Sequence, residues 1–290
     1  MDKALLITGI FTIALLLRRF GAVRETHVGM LVRYVMTVSL PCLTIMTIGT
    51  LDLRQAHFDI AVIAWMVMTA GAIISYVTGR AVGLSGKSLR TFMLASTFPN
   101  TAFLGYPFAY SLFGSAGLSY AIIYDQMGMF PFFITLGFFI AGGKESLLHM
   151  LRFPPLIALV AAFLLNWAGL PPSGQLAKIL GAIGWTTLPL TIFIIGLKVR
   201  FIALRDTKGV FACLALRMLL IPALLFLILH FTGKEAVPYR VTLMESAMPP
   251  ALTTGILAIQ YRLDEDLAVS CISLGTVISL IMFSIAMWFR

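Results

Sequence analysis

Charge is what this sequence has least of. Only 11% of its 290 residues are Asp, Glu, Lys or Arg, against 60% hydrophobic, and the mean hydropathy is +0.98. A soluble domain keeps about a quarter of its residues charged to cover its surface, so a water-soluble enzyme or binding module is excluded and the solvent is mostly lipid. Acidic residues are the scarcest, 12 against 21 Lys and Arg, which leaves a net charge of +9. That surplus sits in short loops between apolar runs, where it sets membrane topology, and no nucleic acid is implied. Cysteine is nearly absent. Cys42, Cys213 and Cys271 fall singly inside apolar runs with no CxxC spacing, which excludes a disulfide framework or thiolate metal centre and leaves small buried hydrophobes. The four histidines, His27, His57, His149 and His230, have no mutual spacing, so no metal and no cofactor is read. HExxH and GxSxG are missing, and Tyr124-Asp125 lacks the second aspartate of an intramembrane protease, so the chain is not read as an enzyme. No small-residue cleavage site follows the first apolar run, so it is expected to be a retained span.

What the chain has in quantity is apolar runs. Ten can be counted, at about 3–20, 28–48, 58–79, 89–113, 117–141, 154–170, 175–197, 209–231, 237–261 and 266–288. Most reach the ~20 residues that a helical span needs. The expected fold class is therefore an all-α polytopic membrane protein of ten transmembrane helices. Loops after the odd-numbered segments hold thirteen basic residues, among them Arg18, Arg19, Arg24, Lys144, Arg152, Arg200 and Arg205. The opposite side holds six, Lys3, Arg54, Lys178, Lys234, Arg240 and Arg290. The excess marks the cytoplasmic side and predicts both termini outside.

The halves are alike. Leu40-Pro41 matches Leu188-Pro189, Ile48-Gly49 matches Ile195-Gly196, and Pro99 matches Pro249, at offsets of 148, 147 and 150 residues. One narrow window of offsets predicts two five-helix repeats, 1–143 and 144–290, joined by a short linker at Gly142-Gly143-Lys144-Glu145-Ser146. Because five is odd, the second repeat inserts upside down.

Two segments are broken near their centres, the fourth at Thr97-Phe98-Pro99-Asn100-Thr101 and the ninth at Met248-Pro249-Pro250-Ala251. A helix broken in corresponding places of two halves points to a transporter's binding site. Each restarting helix presents unpaired N–H groups and about half a positive charge near the midplane, which favours an anion such as a carboxylate. Asn100, Thr101 and Thr253, with Pro99, Pro249 and Pro250, are the candidate substrate-binding residues. Asn100 can equally serve as a helix cap, and the prolines as ordinary kinks. Asp125 and Glu245 are carboxylates inside spans, candidates for proton or ion coupling. Arg217, in the eighth segment, is a candidate counter-charge for the anion, or a structural partner of the carboxylates.

Pro99-Asn100-Thr101-Ala102-Phe103-Leu104-Gly105-Tyr106-Pro107, followed by Leu112-Phe113-Gly114, resembles the fourth-helix signature of the auxin efflux carrier family, whose bacterial members include malate and malonate permease-like proteins. Leu188-Pro189-Leu190 through Ile195-Gly196-Leu197 and Glu245-Ser246-Ala247-Met248-Pro249 are similar to the family's second half. The resemblance covers essentially the whole chain. It implies a scaffold containing helices 2 and 7, a transport domain in which helices 4 and 9 cross at their breaks, and a homodimer through the scaffold. It also implies transport of a small organic anion across the bacterial cytoplasmic membrane. In the plant carriers an asparagine beside each crossover proline helps bind the carboxylate. Asn100 stands in the first such place, whereas Pro250 and Ala251 stand where the second is expected. A sodium-coupled symporter of the bile-acid type shares the architecture and is the alternative expectation. A channel or a sensor on the same fold ranks below both.

Overall fold

A computed structural model describes residues 2–52, 57–143, 153–199 and 206–288. The described residues form α1 (Asp2–Arg19), α2 (Glu25–Gly49), α3 (Asp59–Ala81), α4 (Gly86–Thr97), α5 (Thr101–Ala141) and α6 (Pro154–Trp167). They continue as α7 (Gly174–Lys198), α8 (Thr207–Phe231), α9 (Val237–Ser246), α10 (Leu252–Gln260) and α11 (Glu265–Trp288). Six of these, α2, α3, α5, α7, α8 and α11, are long and apolar enough to cross a membrane. Large apolar side chains such as Phe139, Trp167 and Phe231 are exposed, as a lipid-facing surface requires. Arg54, Lys144, Arg152, Arg200, Arg205 and Arg290, used above for orientation, lie outside the described residues, as does most of the linker.

The second half of the fourth apolar run and the fifth run form one helical stretch, Thr101–Ala141, interrupted at Gly114, whose φ of 70° only glycine adopts readily. Prolines shape the remaining helices in a repeated way. Among the described residues four of the five π-helical turns, those ending at Ser39, Gly105, Met129 and Leu220, each stop two residues before a proline, Pro41, Pro107, Pro131 and Pro222, while Phe133–Gly137 does not. Proline cannot donate to the carbonyl one turn back and its ring collides with it, and a widened turn gives that carbonyl room.

Two compact units are interleaved along the chain. The first takes Met1–His57, Ala102–Ile122 and Ser146–Lys198, and the second takes Phe58–Thr101, Ile123–Glu145 and Val199–Arg290. In the first unit α1 packs along α7 and α6 along α2. Asn166 of α6 donates to the carbonyls of Ile48 (2.8 Å) and Leu51 (2.7 Å), capping the end of α2 where lipid offers no donor. Thr187 donates to Ser39 at 3.0 Å, so the residues that precede the two matched Leu-Pro pairs touch each other. Gly184 lets α7 approach the backbone of α2 at Leu43, where a Cβ would sit 2.7 Å from the amide nitrogen. The second unit packs α4 and the 123–129 turn of α5 against α3, with Met68, Phe92, Leu94, Phe98 and Tyr124 fully buried. Each unit draws on both halves of the sequence, a pattern that two successive domains would not give.

Candidate functional site

Every candidate residue named from the sequence lies in the second unit. The site begins where α4 stops. Phe98 precedes a proline, which pushes it out of the helical region, and its φ of −101° and ψ of 115° are extended. Ala251, before α10, is extended too (φ −63°, ψ 140°). Between them Pro99 and Pro250 form an isolated antiparallel bridge. Asn100 N donates to Pro249 O at 2.8 Å and Ala251 N donates to Phe98 O at 2.9 Å. Each break therefore satisfies one freed donor and one freed acceptor of the other, and both prolines contribute only their inability to donate. Gly275 of α11 closes against the pair, where a Cβ would lie 3.0 Å from both Pro249 and Pro250.

The helix ends that arrive at the breaks are the C-termini of α4 and α9, whose last carbonyls have no partner within their own helix. Arg217, fully buried on α8, supplies partners for both. Its Nη1 donates to Thr97 O at 2.9 Å and Ser96 O at 3.5 Å, its Nε to Met248 O at 3.3 Å, and its Nη2 to Ser246 O. The Tyr124 hydroxyl is an electrostatic neighbour of the guanidinium.

The helix ends that leave the breaks are the N-termini beginning at Thr101 and Leu252. Here side chains are less completely paired. Thr101 donates to Asp125 Oδ1, and Thr254 reaches Leu94 O at 3.5 Å. Among the described residues, however, Asn100 Nδ2 and Thr253 Oγ1 are buried with no hydrogen-bond partner. Asn100 is 3% exposed. Glu245, completely buried near the end of α9, likewise has no hydrogen bond at either carboxyl oxygen among the described residues, and Asp125 is its electrostatic neighbour.

The structure thus joins Thr101 to Asp125, sets Asp125 beside Glu245, and pairs Pro99 with Pro250. It gives Arg217 to backbone carbonyls of both arriving helices. Gly275 and the carbonyls of Ser96, Thr97, Ser246 and Met248 belong to the arrangement as well. Carbonyls leave no trace in a sequence, and the only signal for them was an arginine in the middle of an apolar run. Chemically the site offers, among the described residues, unpartnered Asn100 Nδ2 and Thr253 Oγ1 at two positive helix ends and the buried carboxyl groups of Asp125 and Glu245.

A model of the membrane transport protein family matches residues 1–150 and 140–288. An uncharacterized transporter of Methanothermobacter thermautotrophicus is 32% identical over 282 residues, covering 94% of this chain and 92% of that protein. An uncharacterized transporter of Methanocaldococcus jannaschii is 30% identical over 303 residues, covering 99% and 97%. Both relatives are archaeal.

Proposed function

This chain belongs to the membrane transport protein family, that of the auxin efflux carriers, and from that premise we propose that it is a secondary carrier for a small organic anion, a carboxylate, bound at the paired helix breaks. The observation that carries the reading is the pair of buried, unpartnered groups, Asn100 Nδ2 and Thr253 Oγ1, at the two helix N-termini. An unmet buried donor costs about 1–3 kcal/mol, and an incoming carboxylate meets it. Each N-terminus adds about half a positive charge, so two of them balance about one negative charge without a dedicated cation.

Ten spans in two inverted repeats, 1–143 and 144–290, are part of this reading. Bonds between matched residues support it. Ser39 touches Thr187, and the exchange of Asn100 N→Pro249 O for Ala251 N→Phe98 O has the reciprocity that a local two-fold axis gives. The second unit is assigned as the moving body and the first, with α2 and α7, as the scaffold and the homodimer surface. Alternating access then follows from displacement of the body that holds the anion. Both termini are placed outside. Glu245 is assigned the coupling proton, because a buried carboxyl with neither oxygen bonded is costly as an anion and loses that cost when protonated.

The test is the unfolding midpoint of purified protein against a panel of mono- and dicarboxylates, indole-3-acetate included, as choline salts at two pH values. A ligand at about 100 times its Kd stabilises by about 2.7 kcal/mol. A shift with a carboxylate that disappears in Asn100→Ala supports the reading, and no shift with any carboxylate removes the substrate class. In Glu245→Gln the dependence of transport on pH should flatten, and an unaltered profile would take the proton away from Glu245.

A further inference from the structure

Helix C-termini and unwound carbonyls are where broken-helix carriers hold a coupling sodium ion, since each end carries about half a negative charge and oxygens with free lone pairs. In this chain those oxygens are already taken. The acceptors of Arg217 come in matched pairs, Ser96 with Ser246 and Thr97 with Met248, 150 and 151 residues apart. The first offset is the one relating Pro99 to Pro249, and the second is the one relating Pro99 to its bridge partner Pro250. The guanidinium therefore lies where the two arriving helix ends converge, reaching two carbonyls of each. Two ends sum to about one negative charge, and one guanidinium cancels it. Its planar fork, fully buried, serves four carbonyls that a single compact ion would otherwise have to gather.

We propose that Arg217 is a built-in replacement for a coupling sodium ion, so that the paired breaks assemble and the carrier binds its anion independently of sodium. The proposal deepens the carrier reading and rests on it only for the anion step. The crossover is held by a cation that cannot leave, and no sodium gradient enters the cycle. Arg217 is thereby a positioning residue: it fixes the helix ends from which Asn100 and Thr253 face the anion, and does not itself contact it.

The experiment measures unfolding midpoints of the wild type in sodium, potassium, choline and N-methylglucamine chlorides at equal ionic strength. The midpoints should coincide within about a degree, whereas mass action by a specifically bound ion would raise one of them by several degrees. A sodium-specific rise overturns the proposal, and this arm needs no variant. In Arg217→Ala, if it folds, the vacated carbonyls should take up methylguanidinium or sodium, read as a saturable rise absent from the wild type. A folded variant that responds to neither overturns the proposal. The carboxylate panel separates the two readings. A carboxylate shift that requires sodium sinks sodium independence and leaves the carrier standing. Coincident midpoints with no carboxylate shift leave Arg217 in its role and sink the substrate class.

Discussion

The two kinds of helix end that meet at the breaks are treated in opposite ways. At the C-termini of α4 and α9 the chain provides its own counter-charge, and Arg217 binds four carbonyls. At the N-termini beginning with Thr101 and Leu252 it stops short, and Asn100 Nδ2 and Thr253 Oγ1 stay buried and unpartnered. Arg217 and Asn100 are both buried, at 0% and 3% exposed, so exposure does not explain the difference between them. The difference concerns the backbone: the carbonyls of the arriving ends are met by Arg217, whereas unmet side-chain atoms occur at both kinds of end, Ser96 Oγ and the Glu245 carboxyl on the arriving helices included.

The largest effect should come from opening the closed end. Arg217→Met keeps the bulk and strips the donors from four buried carbonyls, at about 1–3 kcal/mol for each group left unmet. Even with partial relaxation the loss is about 5 kcal/mol, a large share of a typical 5–15 kcal/mol stability. The unfolding midpoint should fall by more than ~10 °C. Arg217→Lys should recover only part of it, because a point charge cannot serve the forked set. A midpoint within about two degrees of wild type in Arg217→Met would erase the distinction between the ends.

Truncating the open end should act on affinity instead. Asn100→Ala removes an unmet donor, so stability should hold or rise slightly. A hydrogen bond to a charged ligand is worth about 1.5–3 kcal/mol, which predicts a ~10–100-fold loss of carboxylate affinity by calorimetric titration. Thr253→Val is isosteric and removes a neutral hydroxyl, so affinity should fall by only ~3–10-fold with stability within about 0.5 kcal/mol. Destabilisation without an affinity change in either variant would make these ends structural too.

Prolines announced the breaks, because a ring with no N–H interrupts a helix whatever surrounds it, and the offset of 150 residues between Pro99 and Pro249 paired them. Asp125 and Glu245 stood out for being charged within apolar runs. The sequence could not say what Arg217 would bind, since backbone carbonyls carry no residue identity. Nor could it foresee that Asn100 Nδ2 would be buried with no hydrogen-bond partner among the described residues. The interleaved units were illegible for a related reason: local patterns report faces of helices, and which distant faces meet is decided by packing. Gly114 could have been read as the division between the fourth and fifth apolar runs, but one glycine among 24 gives no warning that it alone takes a φ of 70° within that stretch.

A third polar cluster makes the control. In the loop after α8, Lys234 donates to Asp59 Oδ2 at 2.6 Å and to the Tyr239 hydroxyl at 3.1 Å, and Tyr239 donates to the same carboxylate at 2.7 Å. This cluster is closed, like the Arg217 end, yet the Lys234 and Asp59 side chains are 36% and 39% exposed. Water competes for every bond, so Lys234→Met should cost no more than ~1 kcal/mol. The hydrogen bond to Asp59, and then that to Tyr239, raise the Lys234 pKa above its ordinary value. A raised lysine pKa contributes stability that is fully present below the unfolded value of about 10.4 and is lost only as pH climbs through the higher folded value. The cost of Lys234→Met should therefore be the same at about pH 6 and pH 9. If Lys234→Met changed carboxylate affinity as Asn100→Ala is expected to, the open end would not be a local property of the breaks. If it leaves affinity untouched, closure by itself carries no function, and what marks the site is burial combined with unmet donors.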